Sequence, residues 1–98
     1  MNKSREQILE FLAAHKRELQ DRFGVTRLGL SGSYARGEAT ELSDIDIIVS
    51  LQSSNRFRSF FGLLHYLQDN LDERVDLATE ASLKPRVKET ILRDIRYV

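Results

Sequence analysis

Ninety-eight residues, 41% of them hydrophobic and 31% charged, suit one globular domain with a modest core: at this size about 60–70% of the unfolded surface is buried. Fifteen basic and 15 acidic residues cancel, which argues against a broad polyanion-binding face and leaves room for one local phosphate site. With no cysteine, disulfides and thiolate metal sites are excluded and a reduced, cytoplasmic compartment fits; no apolar run suits a membrane span, and the N-terminal MNKSREQILEF lacks the apolar centre of a signal peptide.

Residues 4–23 read as a helix. Ser4 and Gln7 form a capping-box pattern, Ile8, Leu12, His15, Leu19 and Phe23 recur on one face, and Gly24 suits the C-terminal stop. VTRLGLS, residues 25–31, is short and rich in β-formers and predicts a first strand. Residues 32–43 hold two glycines and small polar residues, with at most a short helical turn after Ser33. DIDIIVSL, 44–51, predicts the second strand, and residues 56–71 a helix whose Phe57, Phe60, Phe61, Leu64, Leu67 and Leu71 read as core. RVDLA, 74–78, predicts a third strand; Pro85 suits the first turn of a last helix with Val87, Ile91 and Ile95 inward. The order is αβ(turn)βαβα. A short link permits antiparallel pairing of the first two strands, and a helix between the second and third provides a parallel crossover. The expected fold is therefore α/β (α+β): a small mixed three-stranded sheet with flanking helices, in a single domain spanning 1–98.

The chemistry concentrates in GSYARGEATELSDIDIIV, residues 32–49. Alternation along a strand points Asp44 and Asp46 to one face, about 6–7 Å apart, and sends Ile45 and Ile47 to the other. Asp76 repeats the pattern between Val75 and Leu77, so neighbouring strands would gather three aspartates. Close carboxylates repel one another and must take up protons or surround a cation. An all-oxygen set suits Mg2+ or Mn2+, and two such ions serve in-line displacement at phosphorus. Upstream, Gly32 allows close backbone approach, Ser33 offers a hydroxyl, and Arg36 a planar fork matched to phosphate. Together these read as a triphosphate held between a glycine turn and metal-bearing aspartates.

Gly32-Ser33, Ala35-Arg36-Gly37 and Ser43-Asp44-Ile45-Asp46 resemble the signature of the minimal nucleotidyltransferases of the DNA polymerase beta superfamily, and the resemblance extends over nearly the whole chain, to a closing helix in LKPRVKETILRDIRYV. It implies the nucleotidyltransferase fold, with Asp44, Asp46 and Asp76 as catalytic metal carboxylates and Gly32, Ser33, Arg36, Gly37 and Ser43 as the nucleotide-binding set. It also implies two Mg2+ (or Mn2+) ions with nucleotide bound, and AMP transfer from ATP to an acceptor hydroxyl. Small members pair with helical HEPN-type proteins as antitoxin and toxin, which makes a HEPN tyrosine the expected acceptor. Larger members carry an appended substrate-binding domain that these residues do not include, so the acceptor is expected to arrive on another macromolecule.

Blander readings stand beside these. Arg36 could brace the loop through Glu38 or Glu41, Ser43 could be a turn former, His15 and His65 read as structural or surface residues, and Lys84 as a solvated lysine. A binding module that neutralises its partner by contact, with a vestigial metal site, is the alternative function. An RNA or DNA extender is disfavoured by zero net charge and the lack of a basic patch. A homo-oligomer is left open, as are the acceptor and the nucleotide base.

Overall fold

The computed structural model describes residues 3–98, so the first two residues of the N-terminal stretch lie outside it. Helix α1, Arg5–Phe23, begins with the reciprocal cap expected from its sequence: Gln7 N donates to Ser4 Oγ at 3.1 Å, and Ser4 N donates to Gln7 Oε1 at 2.8 Å. It ends where Gly24 N donates to Gln20 O at 2.9 Å. Ile8, Leu12 and Leu19 are fully buried, while His15 and Phe23 stay half-buried at the margin of that face. After α1 come β1 (Val25–Ser31), a short helix α2 (Gly32–Arg36), β2 (Ile45–Leu51), α3 (Arg56–Leu71), β3 (Val75–Thr79), a 3-10 turn over Glu80–Ser82, α4 (Pro85–Asp94) and β4 (Arg96–Tyr97).

The strands lie in the order β3-β2-β1-β4. β1 and β2 are antiparallel, as their short link permits, and β2 and β3 are parallel, joined by a helical crossover. The sheet has four strands rather than the expected three. The last helix stops at its cap, Ile95, and Arg96 and Tyr97 then pair antiparallel with Leu30 and Gly29. A two-residue strand leaves no periodic trace in a sequence, and this one lies against Gly29, whose lack of a side chain leaves room for it. A Cβ there would stand 2.8 Å from Ile95 Cδ1 and 3.1 Å from Tyr97 Cδ1, so those side chains would have to shift to admit one.

Strand alternation then sorts the two faces. Leu28, Leu30, Ile45, Ile47 and Val49 are fully buried in one core with the leucines of α1 and α3. Ser31, Asp46 and Asp76 point to the opposite face. Along α3 the buried stripe is Leu63, Leu67 and Leu71. The phenylalanines read as core are displaced from it: Phe57, in a first turn (56–58) that faces solvent throughout, is 75% exposed, and Phe61, off the buried stripe, is 43% exposed. The last helix departs from expectation in the same way. Pro85 does occupy its first turn, but none of its residues is buried and Val87 faces solvent, with Ile91 and Ile95 only half-buried. Among the described residues, no helix is long and apolar enough to cross a membrane.

Candidate active site

The site begins where β1 runs into α2. Gly32 takes a φ of 70°, a backbone conformation that side chains resist. A Cβ there would also overlap Asp46 Oδ2, so the carboxylate seats directly against the glycine backbone. α2 is anchored from beneath: Tyr34 is buried and donates its hydroxyl to Glu73 Oε2 at 2.9 Å, and Arg5 Nη1 donates to Ala35 O at 3.2 Å. The small helix closes at Gly37, whose N–H reaches Tyr34 O at 3.2 Å. Ser33 is half-buried, and among the described residues its hydroxyl has no hydrogen-bond partner, which leaves it free to donate to a ligand.

Sheet register brings the carboxylates together. Ser31 lies opposite Asp46 on β2, and Asp46 lies opposite Asp76 on β3, so one row crosses three strands. The buried Ser31 hydroxyl donates to Asp46 O at 3.4 Å. Asp46 is half-buried and Asp76 exposed. Partial burial, reinforced by the charges of Asp76 and Asp44 and a hydrogen bond with Asp76, pushes the Asp46 carboxyl from its ordinary 3.8 to about 6, against the opposing pull of Arg36.

Asp44 stands apart. It lies just before β2, and its Oδ1 pairs with Arg74 Nε at 3.1 Å. Among the described residues, no three acidic or histidine side chains are arranged as a ready metal cage; the structure brings Asp46 and Asp76 together while Asp44 is engaged by Arg74. The donor set still fits a hard divalent cation. Three carboxylates at the end of two parallel strands, one of them raised to about 6 by partial burial and by its neighbours' charges, offer the all-oxygen environment such an ion takes. Arg36 pairs with Glu38 Oε2 at 3.3 Å and with Asp94 Oδ2 at 3.5 Å, so it braces the turn and ties it to α4. Ser43 Oγ accepts from Thr40 N at 2.9 Å and shapes the loop into β2. His15 stacks on Phe11 at a centroid distance of 4.1 Å, away from these groups in the packing between α1 and α3.

Sequence reasoning missed Arg74 altogether, although Arg74-x-Asp76 stands beside Asp44-x-Asp46 in parallel strands. The matching two-residue spacing was the available signal. Asp94 as a partner of Arg36 had no such signal, since nothing local relates residues 36 and 94.

This geometry coincides with what the chain resembles elsewhere. Residues 12–98 match the nucleotidyltransferase domain family, and the chain belongs to that family. It is thus an enzyme of the nucleotidyltransferase class. Among its relatives, the protein adenylyltransferase MntA of Thermococcus cleftensis is 46% identical over 93 residues, covering 95% of this chain and 94% of the relative. A candidate protein adenylyltransferase of Methanocaldococcus jannaschii is 43% identical over 99 residues, covering 98% and 99%. A structure described as a candidate minimal nucleotidyltransferase superposes with a TM-score of 0.81 at 33% identity, covering 96% of this chain and 95% of that one. A toxin–antitoxin structure solved with AMP-PNP shares the fold, with a TM-score of 0.69 at 23% identity over 97% of this chain and 72% of that one.

Proposed function

We propose that the chain transfers AMP from ATP to a hydroxyl on a protein, with a tyrosine of a HEPN-type helical partner as the acceptor, and so acts as the antitoxin of a pair. The observation that carries this reading is the row of Ser31, Asp46 and Asp76 set against the Gly32 turn, with Asp46 displaced to about 6. The relatives named as protein adenylyltransferases support the protein acceptor, and the toxin–antitoxin neighbour supports the pairing.

Asp44, Asp46 and Asp76 would hold the divalent ions, Mg2+ or Mn2+, two with nucleotide bound. When bound, these ions neutralise the triphosphate oxygens and draw electron density from the α-phosphorus. The Ser33 hydroxyl and the backbone N–H groups of the Gly32 turn bind the β- and γ-phosphates, and Arg36 adds its guanidinium as it leaves Glu38 and Asp94. Gly37 and Ser43 set the two ends of the nucleotide-binding loop. Asp76, the exposed member of the row, takes the proton of the acceptor hydroxyl. The hydroxyl oxygen bonds to the α-phosphorus while the bond to the bridging oxygen of the β-phosphate breaks, and pyrophosphate leaves with that electron pair.

The test is the mass of the partner after incubation with this chain, ATP and Mg2+. The expected result is one or a few added AMP groups, abolished by Asp46→Asn and by changing the partner's tyrosine to phenylalanine. ATP consumption with AMP appearing on a small molecule, the partner unchanged, would refute the protein acceptor.

A second reading, neutralisation of the partner by contact alone, is favoured by one feature. An apolar groove of about 430 Å³ lies between α3 and the end of β3, flanked by the exposed Phe57 and Phe61. Rescue of growth by the Asp44→Ala/Asp46→Ala double variant would select contact; loss of rescue with binding retained would select catalysis.

A further inference from the structure

We propose that Arg74 is the resident counter-cation of the site: it holds the Asp44 carboxylate in the metal-free protein, and a divalent ion must displace it to complete its own coordination. The inference rests on the metal-binding reading of Asp44, Asp46 and Asp76 given above. Arg74 Nε lies 3.1 Å from Asp44 Oδ1, and Arg74 Nη2 donates to Leu42 O at 3.0 Å. One guanidinium thus ties the aspartate to the loop that precedes it. Its backbone is fixed in that position, because Ile45 N donates to Arg74 O at 2.9 Å at the point where β2 and β3 begin to pair.

The charge arithmetic gives the arrangement a purpose. Three carboxylates share this end of the sheet. Asp46 and Asp76 face each other across the strands, and the guanidinium of Arg36, whose charge reaches Asp46, is paired with Glu38 and Asp94. Among the described residues, Asp44 is the member of the three with an ion-pair partner. Without Arg74 the nucleotide-free cluster would hold three mutually repelling groups with no direct ion-pair partner among the described residues. The pair is also built to be broken. The Arg74 side chain is 70% exposed and that of Asp44 47% exposed, so water screens their attraction and solvates the guanidinium once it is released. A doubly charged ion bound by several carboxylates outcompetes such a contact, whereas a buried bidentate pair would resist it. Arg74 is in these terms a positioning residue. It keeps Asp44 and the loop at Leu42 in place, and it lowers the affinity of the free protein for metal.

The experiment is a Mn2+ titration of the nucleotide-free protein, read by the electron paramagnetic resonance of free Mn2+ at constant ionic strength, with circular dichroism confirming that each variant is folded. Arg74→Gln should tighten Mn2+ binding roughly two- to fivefold, the range expected for releasing a carboxylate from an exposed ion pair. Arg74→Lys, which retains the charge, should stay near wild type. In an Asp44→Asn background the Arg74→Gln effect should shrink toward onefold, which separates competition for Asp44 from a general loss of positive charge. Unchanged or weaker Mn2+ binding in Arg74→Gln, while Asp46→Asn weakens it, would overturn the counter-cation role and spare the metal site. An Arg74→Gln variant altered only in nucleotide affinity would make Arg74 a phosphate ligand and likewise overturn the proposal. Wild-type Mn2+ affinity in Asp46→Asn would instead refute the metal site and this inference with it.

Discussion

Replacing Asp46 by asparagine should make the nucleotide-free protein more stable at neutral pH, although it removes the central carboxylate of the site. The folded chain holds the Asp46 proton to about pH 6, against an ordinary value of 3.8. An acid with a raised folded-state value keeps its proton in the fold after the unfolded chain has lost it, so stability falls as pH rises between the two values. The loss accrues between about pH 4 and 6 and is complete by about pH 7. At about 1.4 kcal/mol per tenfold, the full displacement corresponds to about 3 kcal/mol. Solvent around a half-buried carboxylate screens this to about 1–2 kcal/mol. Asparagine has the same shape and no charge to strand, and its amide can donate to Asp76, so Asp46→Asn should recover that amount at pH 8. The recovery corresponds to a rise of roughly 4–16 °C in Tm for a domain of this size. Urea denaturation of wild type and variant at pH 4.5 and pH 8, without divalent ions, checks it. A variant no more stable than wild type at pH 8, or a gain equal at both pH values, would refute the reasoning.

Other expectations follow from the same contacts. Gly32→Ala places a Cβ on the Asp46 carboxylate in a positive-φ residue; it should lower stability by about 1–3 kcal/mol in denaturant titrations and abolish nucleotide binding by calorimetry. Leu67→Ala empties a fully buried position of the core and should cost about 2–5 kcal/mol, while Phe57→Ser, at 75% exposure, should stay within about 0.5 kcal/mol of wild type. Tyr34→Phe removes the hydroxyl that holds α2 to Glu73; a loss of about 1 kcal/mol is expected in thermal or chemical unfolding. Saturating ATP with Mg2+ should raise the Tm of the wild type but leave that of the Asp44→Ala/Asp46→Ala variant unmoved, as scanning calorimetry would show.

The sequence alone determined the features that obey a local period or a local cap. The Ser4–Gln7 box, the strand alternation of Asp44-Ile45-Asp46-Ile47, Pro85 at the start of α4 and the glycine-rich turn all state their geometry within a few residues. The helix between β2 and β3 also made their parallel pairing legible, and with it the juxtaposition of Asp46 and Asp76. What the tertiary structure decided were matters of partner and of exposure. β4 pairs with Gly29 and Leu30, where the glycine leaves room beneath Ile95 and Tyr97, and no window of sequence around residue 97 contains that partner. Phe57 and Val87 have helical core spacing yet face solvent, because a hydrophobic period says which face a residue shares and not how far the neighbouring layer extends. Asp44 and Asp46, equivalent in the sequence, became unequal for the same reason. One meets an arginine 30 residues away across the opening of the sheet, and the other is pressed against Gly32, where partial burial and its neighbours' charges hold its proton.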